Sequence, residues 1–185
     1  MATKGFEVLR SETAFVGDSV YVEKVTAKVG SGLVSLETVR APMAVAVLGF
    51  TGEGRVVMER QYRHSLGRRL YEVPAGTVRE GEDPASCAAR ELEEETGYAP
   101  LKLRHVGTLV PSPGLTDEII HLFVAKVGRR RRSRPSEDEI ISVHLLTVED
   151  AIRRVLNDGP ADAKSVVLLQ MAKLDPSISS WAGAP

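Results

Sequence analysis

The chain has 185 residues, 24 Lys and Arg against 25 Asp and Glu, and a formal net charge of −1. This length suits one domain, and 43% hydrophobic with 26% charged residues is the balance of a globular protein able to bury its own core. No apolar run approaches the ~20 residues of a membrane helix, residues 1–10 lack a signal-peptide core, Cys87 has no partner for an internal disulfide, and the balanced charge disfavours a general nucleic-acid binder, so a cytoplasmic protein without membrane or nucleic-acid partners is expected.

The first 40 residues read as strands. Val20, Val22 and Val25, with Ala27 and Val29, precede Gly30-Ser31-Gly32, and Leu33, Val34, Leu36 and Val39 follow it, a hairpin pattern. This hairpin is either an addition to the main core or part of one continuous sheet with it. Residues 43–48, Met-Ala-Val-Ala-Val-Leu, form an unbroken apolar run that suits a strand buried on both faces. Thr51-Gly52-Glu53-Gly54 is a turn, residues 55–62 return as a strand, and residues 70–73 form a short strand stopped by Pro74. A helix begins with Asp83 as N-cap and Pro84 at its first position, and closes at Gly97. Residues 101–110, 118–127 and 140–146 read as strands, and residues 148–156 and 163–174 as helices. The tail after Pro176 is expected to be loose, with Trp181 as its one anchor. This order predicts a mixed sheet covered by helices.

Residues 76–98, GTVREGEDPASCAARELEEETGY, carry the chemistry. On a helix, Glu91, Glu94 and Glu95 stand at i, i+3 and i+4 and share a face, while Ala85, Ala88, Ala89 and Leu92 form the stripe that faces the core. Carboxylates about 5 Å apart repel by about 3 kcal/mol per pair at an effective dielectric of ~20. Arg90 is the one cation near them in sequence, so a divalent ion with a preference for hard oxygen ligands is the natural counter-charge. A plain solvated acidic face is the competing reading, and the surrounding pattern decides against it.

Gly76, Glu82, Arg90, Glu91, Glu94, Glu95 and Gly97 match the pattern G-x5-E-x7-R-E-U-x-E-E-x-G-U at every fixed position, with Leu92 at the first U. Tyr98 takes the last U, where an aliphatic residue is more usual. At about one in ten per position, seven fixed matches arise by chance about once in 10⁷ windows. The segment therefore resembles the Nudix hydrolases, which cleave nucleoside diphosphates linked to another group with Mg²⁺ or Mn²⁺. The resemblance implies an α/β (α+β) Nudix fold, a mixed sheet sandwiched between helices, preceded here by a β-rich region over residues 1–40, with the Nudix domain over 41–176 and a tail over 177–185. It implies metal ligation by Glu91, Glu94, Glu95 and the Ala75 carbonyl, an Arg90 that orients the glutamates, a Glu82 that supports the loop, and a Gly76 that permits close approach of the backbone to the metal.

Outside this segment, Glu59-Arg60-Gln61-Tyr62-Arg63, residues 70–76 (LYEVPAG), Pro111-Ser112-Pro113-Gly114 with Asp117-Glu118, and Asp162-Ala163-Lys164-Ser165 look like the ADP-ribose pyrophosphatase group. That likeness implies hydrolysis of ADP-ribose to AMP and ribose 5-phosphate. Another nucleoside diphosphate sugar or a dinucleotide is the alternative substrate, and an ADP-ribose-binding module without catalysis the alternative class. Arg63 would contact a substrate phosphate, Arg60 is a further substrate-binding candidate, Tyr62 would stack on a base or ribose or else pack in the core as the favoured reading, and Gly114 and Leu115 would shape the ribose pocket. The group often takes its general base from the loop before the last core strand, here Glu137 as base with Glu139 as the metal-proximal acid, and Glu118 in reserve. Relatives commonly form homodimers through the N-terminal region. The run Arg129-Arg130-Arg131-Arg132-Ser133-Arg134 reads as a solvated loop that draws in anionic substrate, and Cys87 as a packed small hydrophobe rather than a nucleophile.

Overall fold

A computed structural model describes residues 5–18, 20–133 and 140–182. The chain divides into two compact units, Met1–Met43 with Val110–Ile119, and Ala44–Leu109 with Ile120–Pro185.

The first unit is a three-stranded antiparallel sheet in the order β1 (Phe6–Val16), β2 (Tyr21–Val29), β3 (Gly32–Arg40). The expected hairpin is β2–β3, turned at Gly30 with φ +60°. β1 adds a third strand, and among the described residues β1–β3 form a sheet of their own. Residues 110–119 lie along β3: Val39 N–H donates to the Leu115 carbonyl at 2.8 Å. Arg40 ties this loop to the sheet by donating to Asp117 at 2.9 Å and to Glu23. In this unit every residue of β1 is exposed and only Ala27 is fully buried among the apolar side chains.

The second unit holds a seven-stranded mixed sheet. Its path runs β10 (Ile141–Leu146), β5 (Val56–Arg63), β4 (Ala44–Phe50), β9 (Ile120–Arg130), β8 (Tyr98–Leu109), with β6 (Arg68–Glu72) paired to β5 and β7 (Ala75–Thr77) to β4. Only β4 and β9 run parallel; the other pairs are antiparallel. β4 is the apolar run read from the sequence, and Val45 to Leu48 are wholly buried because both faces of the sheet are covered. Ala46, Leu48 and Phe50 pack towards α2 (Val148–Asn157), α3 (Ala163–Leu174) and Trp181. Val45 and Val47 pack on the other side with Cys87, Ala88 and Leu92 of α1 (Pro84–Thr96).

The helix ends follow their caps. Asp83 accepts from the amides of Ala85 and Ser86 at 3.0 and 3.1 Å, satisfying donors that the first turn leaves open. Gly97 closes α1 at φ +79°, and a Cβ there would also run into the Arg131 backbone, with the carbonyl carbon only 3.1 Å away. Tyr98, the unusual residue in the motif, is 7% exposed in the α1 core and fills the place of an aliphatic side chain. The tail differs from expectation. Pro176–Ser179 forms a short α4, and Ile178 and Trp181 join the α2–α3 core, so residues 176–182 are docked.

Candidate active site

The strand β7 and helix α1 build the centre of the site. Glu91, Glu94 and Glu95 stand at i, i+3 and i+4 of α1, and Glu91 and Glu95 reach residues 75 and 76 of β7. Gly76 is where the two elements meet. Its φ is not in the left-handed region; the constraint is space. A Cβ on Gly76 would lie 2.6 Å from Glu91 Cγ and would overlap the carboxyl group. The close approach expected for this glycine is therefore to the Glu91 side chain. One residue earlier, the Ala75 N–H donates to Glu95 Oε2 at 3.1 Å, which fixes the buried Glu95 against the strand that carries the Ala75 carbonyl.

Arg90 is the counter-charge of the cluster. Its Nε and Nη2 donate to Glu82 at 2.8 and 3.0 Å, and its Nη1 donates to Glu91 Oε1 at 2.7 Å and Glu94 Oε2 at 3.1 Å. Glu82 is itself fixed by the Arg79 amide at 3.0 Å. Hydrogen bonds from Arg90 and then from that amide hold the Glu82 carboxyl down to about 2, and the same acids push the Arg90 guanidinium above its ordinary range. Among the described residues no three acidic, histidine or cysteine side chains stand close enough to form a finished cation cage. Arg90 instead engages one oxygen each of Glu91 and Glu94. The donor set nevertheless fits a hard divalent cation: three carboxylates and a backbone carbonyl, all oxygen, on one rigid helix–strand junction.

Cys87 lies beneath this centre, fully buried, with its Sγ donating to the Thr77 carbonyl at 3.4 Å. Burial, and then the charge of Glu82, push its thiol up to about 12, so it is a packing residue as expected. The described part of the basic run is not a free loop, and Arg134 lies outside the described residues. Arg129 and Arg130 end β9, Arg130 donates to the Thr96 carbonyl at 3.1 Å, and the Arg131 amide donates to Gly97 at 2.7 Å. Arg131 and Arg132 line an open groove of about 680 Å³ with Arg90, Glu93 and Glu94.

The substrate residues expected on β5 do not share a face. Strand alternation leaves Arg60 and Tyr62 exposed while Glu59 and Gln61 are buried. Arg60 lies 5.6 Å from the Tyr71 ring centroid. Arg63 turns to the inner side and forms a two-pronged pair with buried Glu72, Nε at 2.7 Å and Nη2 at 2.8 Å. Gly114, Leu115 and Glu118 belong to the 110–119 segment of the first unit. Glu137 and Glu139, the expected base and metal-proximal acid, lie outside the described residues.

A second ionic cluster was not anticipated. Glu72 also receives Lys164 Nζ at 2.5 Å, and Lys164 reaches Asp162 at 2.8 Å. Burial alone would raise the Glu72 carboxyl, but Arg63 and Lys164 outweigh it and hold the group below the ordinary value. Glu59, paired across the strands with Glu72, is fully buried, and neither of its carboxyl oxygens has a hydrogen-bond partner among the described residues. Burial, then the charge of Glu72, push it up to about 8. The available signal was the period-2 pattern itself: Val57, Glu59 and Gln61 alternate inward, so an inward acid in a central strand required a partner.

A glycine cradle under a carboxylate helix, locked by one arginine and set on a mixed sheet between helices, defines a class of phosphate-processing proteins that work with a divalent cation. The NUDIX domain model matches residues 40–169, and the chain belongs to the Nudix hydrolase family. It is 38% identical to the ADP-ribose pyrophosphatase of Bacillus subtilis (strain 168) over 94% of this chain and 96% of that protein. It is 36% identical to the methanol dehydrogenase activator of Bacillus methanolicus over 93% of this chain and 95% of the relative. The crystal structure of an ADP compounds hydrolase superposes with a TM-score of 0.80 at 20% identity, covering 94% of this chain and 95% of that one, which is a likeness of fold.

Proposed function

We propose that this protein hydrolyses the pyrophosphate bond of ADP-ribose, giving AMP and ribose 5-phosphate with Mg²⁺, or Mn²⁺ in its place. The observation that carries this reading is the Arg90-centred array of Glu82, Glu91 and Glu94 packed over Gly76. It is supported by the chain-long likeness to an ADP-ribose pyrophosphatase.

Glu91, Glu94, Glu95 and the Ala75 carbonyl would hold the metal, with Glu139 as a further ligand. When bound, the cation supplies neutralisation of the diphosphate oxygens and a lower pKa for the attacking water. The chain's own residues do the rest. Arg90 keeps Glu91 and Glu94 at fixed spacing and prevents their mutual repulsion from splaying them. Glu82 anchors Arg90 to the loop. Glu137 takes the proton from the attacking water, with Glu118 as the reserve for that role. Water oxygen joins one phosphorus, the bridging oxygen leaves with the other phosphate, and each product keeps one terminal phosphate. Arg63 is held by Glu72 through Nε and Nη2, which leaves the Nη1 edge of the fork as the one to meet a substrate phosphate. Arg60 and Tyr62 stand on the opposite face of β5 from Arg63, so the substrate contacts that the resemblance implied for them are not carried forward, while Gly114 and Leu115 keep the ribose role it implied.

The N-terminal β-rich region is proposed as the contact of a homodimer. Phe6, Val8, Leu9, Phe15 and Val16 are exposed along β1, and a three-stranded sheet with so little buried apolar surface is marginal alone. Sedimentation should give a species of twice 20.0 kDa; a monomer alone at micromolar concentration overturns this. Among the described residues no helix is long and apolar enough to cross a membrane. The proposed setting is the cytoplasm, with a small-molecule substrate and neither nucleic acid nor membrane as partner. The substrate is tested by incubating the protein with ADP-ribose, ADP-glucose, GDP-mannose, NADH and diadenosine polyphosphates. AMP and ribose 5-phosphate formed fastest from ADP-ribose supports the reading. Preference for another compound keeps the chemistry and discards the substrate, and binding without cleavage makes the chain a sensor.

A further inference from the structure

The segment that carries the Ala75 carbonyl is fastened from two directions, and one of them lies outside the chemistry described above. From α1, Glu95 accepts the Ala75 amide at 3.1 Å. From the N-terminus of α3, Ser165 Oγ accepts the Val73 amide at 2.8 Å, across 92 positions of sequence. The Ser165 hydroxyl in turn donates to Asp162 Oδ2 at 2.5 Å, and the same oxygen caps α3 by accepting the Ser165 amide at 3.0 Å. Lys164 holds the other Asp162 oxygen at 2.8 Å and Glu72 at 2.5 Å, and Glu72 grips Arg63. Ser165 and Val73 are both fully buried, so no water replaces the bond. Pro74, between the two anchored amides, has a fixed φ, and its carbonyl accepts the Val47 amide at 2.9 Å. The backbone leading to the Ala75 carbonyl is therefore held at three polar groups, the Val73 amide, the Pro74 carbonyl and the Ala75 amide.

We propose that Ser165, oriented by Asp162 and Lys164, is a positioning residue for the metal loop: α3 fixes Val73, and through Pro74 that contact fixes the Ala75 carbonyl relative to Glu95. The proposal rests on the metal reading of Ala75, Glu91, Glu94 and Glu95. Without the Ser165 hydroxyl, the Val73 amide is buried with no acceptor and the loop relaxes to find one. Displacements of about 1 Å at a reacting centre cost on the order of 10² in rate, and loss of a supporting contact behind a metal ligand costs about 10-fold to 100-fold in affinity.

The test is a Mn²⁺ titration of the full chain by electron paramagnetic resonance, with kcat and KM for ADP-ribose and the melting temperature measured on the same samples. Ser165→Ala should raise the Mn²⁺ Kd at least fivefold and lower kcat at least tenfold, with KM within about twofold of wild type. Val155→Ala, a truncation of a buried side chain of α2 away from α1, should lower the melting temperature without moving the Mn²⁺ Kd. Equal shifts in both variants would reduce Ser165 to a generic core residue and overturn the proposal. If Ser165→Ala does not fold, Asp162→Asn decides, because asparagine keeps a helix cap while weakening the grip on the hydroxyl. A Kd raised at least twofold supports the proposal, and an unchanged one overturns it. A wild type that binds Mn²⁺ alongside an unaltered Ser165→Ala overturns this inference alone. A wild type that binds no Mn²⁺ overturns the metal reading with it.

Discussion

Gly76→Ala separates folding from function at this site. At a position without steric conflict, the exchange stabilises a protein by about 0.4–1 kcal/mol through the unfolded chain. Here the new methyl would sit 2.6 Å from Glu91 Cγ and overlap its carboxyl group, against ordinary carbon contacts of about 3.5–4.0 Å. Glu91 must retreat by about 1 Å or more. It is the far end of a flexible side chain, so the fold survives: an off-rotamer torsion costs about 0.5–1.5 kcal/mol, and the partly buried 2.7 Å pair with Arg90 is weakened. A stability loss of about 1–2 kcal/mol follows, or roughly 2–8 °C in melting temperature for a chain of this size. The catalytic loss is far larger, because the displaced group is a proposed metal ligand: kcat/KM for ADP-ribose should fall at least about 100-fold. Both quantities are measured on one preparation, by product chromatography and thermal unfolding. A variant with kcat/KM within threefold of wild type would refute the claim that Gly76 exists to make room for Glu91. A variant that unfolds outright would show that the glycine serves the fold instead.

Three other outcomes follow from the buried groups. Glu59 keeps its proton in the folded protein up to about pH 8 but loses it from about 4.5 when unfolded; the unfolded state therefore binds fewer protons between those values, and stability declines as pH rises through that window. Glu59→Gln removes this decline, so urea midpoints of the variant should gain on wild type from pH 5 to 8, and parallel curves would be contrary. Lys164→Met leaves buried Glu72 with Arg63 as its one remaining partner among the described residues and should cost about 3 kcal/mol; a denaturation midpoint equal to wild type would speak against the pair. Cys87, fully buried with its thiol pushed up to about 12, should resist thiol reagents at pH 8 in the native protein and react once denaturant is added; rapid native labelling would contradict its placement.

What could be read in advance was local. The i, i+3, i+4 spacing of Glu91, Glu94 and Glu95 is a property of one helix, and Asp83, Pro84 and Gly97 mark its ends within a single turn. The apolar run at 43–48 needed no partner to be recognised as a buried strand. What escaped depends on contacts distant in sequence. The first 40 residues read as strands, but only the 20–39 hairpin is legible as a pair; β1 carries charges and hydroxyls between its apolar residues, and its pairing with β2 as a third strand is not. The segment 110–119 reads as a turn near the site, yet it bonds along β3 at Val39. The Glu72–Lys164 pair spans 92 positions, and nothing near Lys164 announces an acid. Arg60, Tyr62 and Arg63 are different: alternation along β5 already assigned Arg63 to the opposite side from Arg60 and Tyr62, and grouping them by proximity in sequence missed it. The compensation at the carboxylate helix was also half visible. Arg90 is expected to orient the glutamates and does bind Glu91 and Glu94, but it also binds Glu82, because a loop ending in the Arg79–Glu82 turn brings Glu82 to the guanidinium.

The central claim is that the carboxylates of α1 hold the ion that cleaves ADP-ribose. Wild type, Glu94→Gln and Glu95→Gln, each shown to be folded by circular dichroism, are incubated with ADP-ribose and Mg²⁺, and AMP is quantified over time. Wild type should give AMP and ribose 5-phosphate, and turnover should be abolished in both variants at unchanged secondary structure. Near-wild-type rates in both variants would contradict it.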